Sequence, residues 1–151
     1  MISFPLPPYE IKTTQRNGHT AIFDFLRRRY VALTPEEWVR QHFTHYLVDH
    51  LHYPAALLAN EVSLRAGRNF RRCDTVLYRR EGGTPRLIVE YKAPTIPITQ
   101  EVISQIAGYN SLLRADYLMI SNGHTHFCCH MDYERLASSS LPEIPDYKDL
   151  A

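Results

Sequence analysis

Residues 86–92, with the sequence RLIVEYK, decide the fold, because an apolar run there ends in a carboxylate and an ammonium group two positions apart. Successive side chains of a strand point to opposite faces of its sheet. Glu90 and Lys92 are therefore predicted to share one face, while Tyr91 points to the other. The apolar residues before Glu90 are typical of a central strand, in which an unpaired carboxylate is costly and needs a partner.

A second apolar strand is predicted at residues 72–78, which carries Asp74 near its start, and the segment EGGTP at 81–85 has the composition of a turn. The two strands then form a hairpin bearing an aspartate, a glutamate and a lysine. Two carboxylates that converge on a hard divalent cation, with a lysine beside them, supply what metal-assisted phosphodiester hydrolysis requires.

Composition bounds the class of protein. The 151 residues and 17.6 kDa fit one domain with a sizeable core, and the net charge of +1 favours no partner by itself. No apolar run reaches the roughly 18 residues that span a bilayer, so no membrane partner is expected. The proline-broken N terminus does not resemble a signal peptide, and three cysteines suit a reducing compartment. A cytoplasmic location is therefore expected.

The rest of the chain predicts an ordered series of elements. An N-terminal extension, residues 1–33, holds a small hairpin around Asn17 and Gly18, and a core follows over residues 34–135. Thr34 is the predicted N-cap of a first helix, with Glu37 closing a capping box. Further elements are predicted as a helix to about residue 50, a short helix at 55–59, strands at 61–64, 117–121 and 124–129, a second helix at 99–114, and a tail at 136–151 that begins as a short helix.

This order predicts an α/β sandwich with a mixed sheet, in which the second helix crosses between parallel strands. The ordered motifs resemble the PD-(D/E)xK nuclease core, and more narrowly the N-terminal nuclease domain of the type I restriction enzyme R subunit. The resemblance covers roughly residues 34–135 and implies a restriction-endonuclease-like three-layer sandwich, a central mixed sheet flanked by helices. It is carried by Asp74, Glu90-Tyr91-Lys92, Lys92-Ala93-Pro94, Gln105 with Tyr109, and Ser121-Asn122-Gly123.

The resemblance implies a DNA endonuclease that uses Mg²⁺ or Mn²⁺ in a restriction-modification or repair setting. Asp74, Glu90 and the backbone carbonyl of Tyr91 then hold the cation. Lys92 orients or helps to deprotonate the attacking water and stabilises the charge that develops. Gln105 and Tyr109, four residues apart on one helical face, are implied to face the metal site.

Two departures from the family pattern are visible in the sequence. Cys73 stands where the family name has a proline that shapes the turn and binds no metal. The chain also contains no phosphate-binding loop of the G-x-x-x-x-G-K-[ST] type, so a nuclease of this kind is freestanding or works with a separate motor or specificity subunit.

Several site residues have structural interpretations beside the functional ones. Asp74 also suits a turn cap or an ion pair with a neighbouring arginine, and Glu61 fits a metal shell and a surface position about equally well. Tyr109 suits simple helix packing. Four arginines lie within eight positions before Asp74, where they serve either as DNA-binding residues or as charges that keep a sheet edge soluble: Arg65, Arg68, Arg71 and Arg72.

The histidines also suggest a zinc site. The sequence supports this hypothesis less than the magnesium site, because structural zinc ligands usually come in two separated pairs and no convincing second pair is present. Alternation on the predicted strand would place His124, His126, Cys128 and His130 on one face. A first-helix pair, His42 and His45, is expected at the surface. Two further functions stay open, a non-catalytic member that binds nucleic acid or protein, and an enzyme acting on RNA or another phosphodiester.

Overall fold

The computed structural model describes residues 2–150, which contain nine strands and two α-helices. Within these residues no helix is both long and apolar enough to cross a membrane. The strands are β1 (Thr13–Arg16), β2 (His19–Asp24), β3 (Arg29–Ala32), β4 (Leu58–Ala66), β5 (Asn69–Tyr78), β6 (Pro85–Tyr91), β7 (Tyr117–Ser121), β8 (His126–Asp132) and β9 (Ala137–Ser140).

The first helix, α1, spans Pro35–His45 and continues as a π-helical turn over Tyr46–His50. Thr34 caps it as predicted, since the Thr34 hydroxyl accepts a hydrogen bond of 3.1 Å from the backbone N–H of Glu37. The other half of the predicted capping box is wrong. The Glu37 carboxylate accepts hydrogen bonds from arginine side chains in the protein interior instead.

The second helix, α2, spans Gln100–Asn110 and ends in a 3₁₀ turn over Ser111–Leu113, which together match the predicted helix closely. Thr99 is its N-cap, accepting a hydrogen bond of 3.2 Å from the backbone N–H of Val102. Two more 3₁₀ turns lie at Ala55–Leu57 and Tyr147–Asp149.

Six strands form one mixed sheet in the order β4-β5-β6-β7-β8-β9. Among the strands of residues 2–150, only β6 and β7 pair in parallel, with Glu90 opposite Ile120, and α2 lies in the crossover between them. The remaining neighbours are antiparallel, and β1, β2 and β3 form a separate antiparallel sheet. The structure therefore confirms a mixed α/β fold.

Two hydrophobic cores flank β6, because alternate residues of a strand point to opposite faces. Leu87 and Val89 pack with α1, whereas Ile88 packs with α2. Burying each large side chain contributes roughly 1.5–3 kcal/mol, so both faces of this strand are held firmly. The α1 core includes Val39, Phe43, Leu47, Leu77 and Tyr91, and the α2 core includes Val76, Ile106, Leu113, Leu118 and Ile120.

Both ends of the chain differ from the sequence-based prediction. The tail does not begin as a helix, because residues 137–140 form β9, which pairs with β8 and exposes all four side chains. A third strand, β3, extends the predicted N-terminal hairpin, and β4 runs from Leu58 to Ala66 and so exceeds the predicted 61–64. In each case the strand is defined by cross-strand pairing, which short polar or mixed sequences do not reveal.

Candidate functional site

Asp74 and Glu90 lie together at the end of the central hairpin. Thr75 pairs with Val89 in the antiparallel β5–β6 ladder, and continuing the register by one residue sets Asp74 opposite Glu90. Residues opposite each other share a face. That face is the α2 side, because Ile88, two residues before Glu90, belongs to the α2 core.

The Glu90 carboxyl is buried, with only 9% of the residue exposed, and its Oε1 atom has no hydrogen-bond partner within residues 2–150. Burial, followed by the charge of Asp74 and a hydrogen bond with Asp74, raises the pKa of Glu90 to about 8. The charges of Arg71 and Lys92 act in the opposite direction but are weaker. Such a carboxyl group is costly to ionise unless a cation is bound beside it.

Asp74 is half-buried and is positioned through the main chain. Its Oδ2 accepts a hydrogen bond of 2.9 Å from the backbone N–H of Tyr91, and its own carbonyl accepts one of 2.8 Å from the Arg40 guanidinium. Among the residues described, no ion pair joins Asp74 to a neighbouring arginine. The main chain of Tyr91 therefore lies against the Asp74 carboxylate, while its side-chain hydroxyl donates to Thr75 on the α1 side.

Lys92 follows the last residue of β6 and is half-buried beside Glu90, whose pKa its charge lowers. The Lys92 backbone N–H donates to the carbonyl of Ser121 at 2.9 Å. Asn122 donates at 2.8 Å to the carbonyl of Ile96, which fastens the proline-rich loop after Lys92 to the end of β7. Residues of the Ser-Asn-Gly motif thus fix the main chain at Lys92 and in the loop that follows it.

Any side chain at Gly123 of the same motif would be strained. Its φ of +90° is unfavourable for other residues, and a Cβ atom there would collide with the ring of Phe4. The N-terminal segment therefore packs directly on the turn that anchors the Lys92 loop.

Glu61 lies across from Asp74 in the β4–β5 ladder but does not extend the carboxylate pair. One Glu61 carboxylate oxygen accepts a hydrogen bond from Arg40 at 2.7 Å and the other accepts one from Arg72 at 2.5 Å. Its φ of +57° interrupts the regular strand geometry. With both oxygens engaged by arginines, the structure favours an ion-pairing role for Glu61.

Tyr109 reaches the site indirectly, through an arginine. Its ring lies 4.5 Å from the guanidinium of Arg71, and Arg71 also donates to the Asn110 side chain at 3.3 Å. The charge of Arg71 in turn acts on Glu90. Gln105 is exposed on α2, and its side chain makes no hydrogen bond within the described part of the chain.

A buried polar network, which the sequence patterns do not predict, supports Asp74 from the α1 side. Arg40 donates to the carboxylates of Glu37 and Glu61 as well as to the Asp74 carbonyl. Burial alone would raise the pKa of Glu37, but the hydrogen bonds and charge of Arg40, together with hydrogen bonds from Gln41 and Arg27, outweigh it and lower that pKa. The network continues through Asp24, Arg27, Gln41, Asn60 and Thr75.

The histidine-rich strand does not assemble a metal centre. Across residues 2–150, no three His, Cys, Asp or Glu side chains group closely enough to hold a metal ion. His126 forms a 2.7 Å hydrogen bond with Ser121 instead. The expectation that His42 lies at the surface is wrong, since it is buried against the rings of Phe4 and Trp38.

Paired carboxylates with a lysine two residues on, at one end of a mixed sheet, define a site of the PD-(D/E)xK pattern. The family model described as type I restriction enzyme R protein N terminus (HSDR_N) matches residues 35–145, well over half of the chain, and the chain belongs to this family. No curated protein and no solved structure matches the chain.

The raised pKa of Glu90 predicts a pH-dependent loss of stability in metal-free protein. Between the ordinary value of 4.5 and about 8, the folded protein retains a proton that the unfolded chain has lost, so stability falls as pH rises through this window. We expect Glu90→Gln to raise the free energy of unfolding by about 1–3 kcal/mol at pH 8, with a difference that shrinks towards pH 4.5.

Urea unfolding in EDTA at the two ends of this pH range measures the effect. Glu36→Gln, at an exposed position in the first turn of α1, serves as the matched control. A difference between wild type and Glu90→Gln that is constant with pH contradicts a proton held on Glu90.

Proposed function

We propose that the protein is a DNA endonuclease that hydrolyses phosphodiester bonds with Mg²⁺ or Mn²⁺, in a restriction-modification or repair setting. The observation that supports this most directly is the Glu90 carboxyl, buried beside Asp74 with one oxygen that has no hydrogen-bond partner among residues 2–150. Membership of the R protein N-terminal family agrees with it. We further propose a cytoplasmic protein whose sheet and two cores form a three-layer, restriction-endonuclease-like sandwich.

The donor set suits a hard cation. Asp74, Glu90 and the backbone carbonyl of Tyr91 offer only oxygen atoms, which Mg²⁺ and Mn²⁺ prefer. When bound, such a cation neutralises phosphate charge and lowers the pKa of a coordinated water. Its charge would also offset the cost of ionising two neighbouring carboxyl groups, one of them buried.

Lys92 has the position to act on the reacting phosphate. Its ammonium lies near Glu90, and the loop that follows it is fastened to Ser121 and Asn122. An ammonium group held in this way orients the attacking water and stabilises negative charge as it develops. Tyr109 and Gln105 are proposed to act from α2, Tyr109 by holding Arg71 close to the carboxylate pair.

Arginines before Asp74 are proposed to bind the DNA backbone. Arg65, Arg68 and Arg72 are exposed, whereas Arg71 is half-buried near Glu90. Arginine contacts with phosphates release counterions and give affinity without sequence dependence. A separate motor or specificity subunit is a further proposed partner, in agreement with the R protein N-terminal family.

A cleavage assay with Asp74→Asn tests the proposal. Purified wild type is expected to cleave plasmid, linear or single-stranded DNA with Mg²⁺ or Mn²⁺ and to stop in EDTA. Asp74→Asn should lower the rate by roughly 100-fold or more, since it weakens the cation site. The matched control is Asp116→Asn, which removes a carboxylate paired with Arg79 at the opposite end of the sheet.

Other outcomes separate the remaining functions. Cleavage that persists in EDTA or in Asp74→Asn contradicts the proposed site. Cleavage of RNA alone, measured in the same assay, would point to the other phosphodiester class. Wild type that binds DNA with a steep salt dependence but cleaves nothing would support the non-catalytic binding module.

A further inference from the structure

The β4–β5 hairpin projects past the carboxylate pair. These two strands pair from Leu58 with Leu77 to Ala66 with Asn69, whereas β6 pairs with β5 only from Thr75 onward. Residues 62–73 therefore form a two-stranded ribbon beyond the end of β6. At about 3.3 Å per residue, Asn69 near the tip of the ribbon lies roughly 16 Å beyond Asp74.

This ribbon, residues 62–73, carries positive charge without compensation in its own sequence. It contains four arginines and no acidic residue. Arg71 is held against Tyr109 and Arg72 against Glu61, which orders the base of the ribbon. Arg65 and Arg68 are exposed near the tip, where the ribbon turns at Gly67 with a φ of +63°.

Phe70 lies near the tip, two residues after Arg68, and is 70% exposed. It is directly opposite Arg65 in the ladder, so the two side chains share a face. A large aromatic ring exposed to this extent buries little apolar area within its own fold. An exposed ring between cationic side chains is the arrangement with which proteins stack on bases and hold the adjoining phosphates.

We propose that Phe70 stacks on an unpaired nucleobase, so that the substrate is DNA with single-stranded nucleotides next to duplex. The proposal rests on the proposed function and specifies its substrate class. Bases inside a regular duplex are already stacked on their neighbours, so a ring at the tip of a ribbon meets a free base face most readily where pairing is interrupted. Arg65 and Arg68 would bind the phosphates on either side.

The stacking role of Phe70 is tested by measuring binding in EDTA to two DNAs. One is a blunt duplex, and the other is the same duplex with a single-stranded tail. Phe70→Ala is expected to weaken binding to the tailed DNA roughly tenfold, consistent with loss of one stacked base, and to change blunt-duplex binding less than about twofold. Phe70→Trp should restore tailed-DNA binding. The matched control Leu136→Ala removes a side chain that is 90% exposed beside the opposite edge strand, and should have no effect.

Tryptophan fluorescence gives an independent reading. The only native tryptophan, Trp38, is buried and supplies a constant background in Phe70→Trp. Tailed DNA should quench the added tryptophan, and blunt duplex should not. Equal losses of affinity on both DNAs, or none on either, would overturn the stacking role, as would a change in oligomeric state of Phe70→Ala measured by sedimentation.

The measurement in EDTA keeps this inference separate from the proposed catalysis. A wild type that cleaves DNA but is indifferent to Phe70→Ala refutes the stacking role alone. A wild type that shows selective binding through Phe70 but never cleaves refutes the nuclease and retains the site. Failure of wild type to bind either DNA in EDTA refutes the stacking role, and the cleavage assay with Mg²⁺ or Mn²⁺ decides the nuclease separately.

Discussion

Lys92→Ala is expected to lower the rate of DNA cleavage by roughly 100-fold or more while leaving DNA affinity within about twofold of wild type. The reason is that, in the proposed mechanism, the Lys92 ammonium stabilises charge that appears at the scissile phosphate only in the transition state. Single-turnover cleavage measures the first quantity, and fluorescence anisotropy in EDTA measures the second. Lys92→Arg keeps the positive charge but replaces the compact ammonium by a planar guanidinium, so this variant should retain only part of the wild-type activity.

Substitution of the ribbon arginines is expected to have the opposite effect to Lys92→Ala, because it should reduce DNA affinity. Changing Arg68, Arg71 and Arg72 together to Gln should weaken DNA binding and flatten its salt dependence by up to about 0.9 for each phosphate that is no longer neutralised. Thermal unfolding must accompany this variant, because Arg71 and Arg72 also contact Tyr109 and Glu61. Equal losses of affinity in Lys92→Ala and in the triple variant would contradict separate roles for lysine and arginines.

The central hairpin could be predicted because the residues that determine its pairing lie close together in the sequence. Alternation along residues 86–92 fixes which side chains share a face, and the turn at 81–85 fixes the pairing of β5 with β6. Asp74 and Glu90 follow as opposite residues once that pairing is set. Both helix starts are equally predictable, because Thr34 and Thr99 act through backbone groups only three residues away.

The remaining features depend on contacts between distant segments. β9 consists of an Ala and three exposed Ser residues, so only its pairing with β8 makes it a strand. Arg71 meets Tyr109 across 38 positions, a contact that helical periodicity cannot encode. His42 presents a polar ring in a helix, and its burial depends on Phe4 far earlier in the chain.

The buried network around Arg40 is the clearest feature that sequence patterns missed, although one signal was present. All eight residues from Glu37 to Thr44 in α1 are buried, four of them charged or amide-bearing or histidine. An amphipathic surface helix leaves its polar face in water. In α1 the polar residues are buried together with the apolar ones. Polar residues buried in this way need hydrogen-bond partners inside the protein.

Arg40→Met is therefore expected to lower the free energy of unfolding by about 3 kcal/mol or more. The Arg40 side chain is buried, and its loss leaves Glu37 and Glu61 short of hydrogen bonds and the Asp74 carbonyl without its donor. Removing one member of a buried ion pair typically costs about 3–5 kcal/mol, because the remaining charge stays buried without compensation. Urea unfolding at pH 7 measures the change.

Arg72→Met is the matched control, since Arg72 also pairs with Glu61 but its side chain is 70% exposed. An exposed pair of this kind contributes about 0–1 kcal/mol. Equal destabilisation by the two variants would contradict the buried network. A double variant with Glu37→Gln should recover part of the loss in Arg40→Met, because the uncompensated charge is then removed together with its partner. Since Arg40 also fixes the main chain of Asp74, Arg40→Met protein that remains folded should cleave DNA more slowly, with binding to the ribbon unchanged.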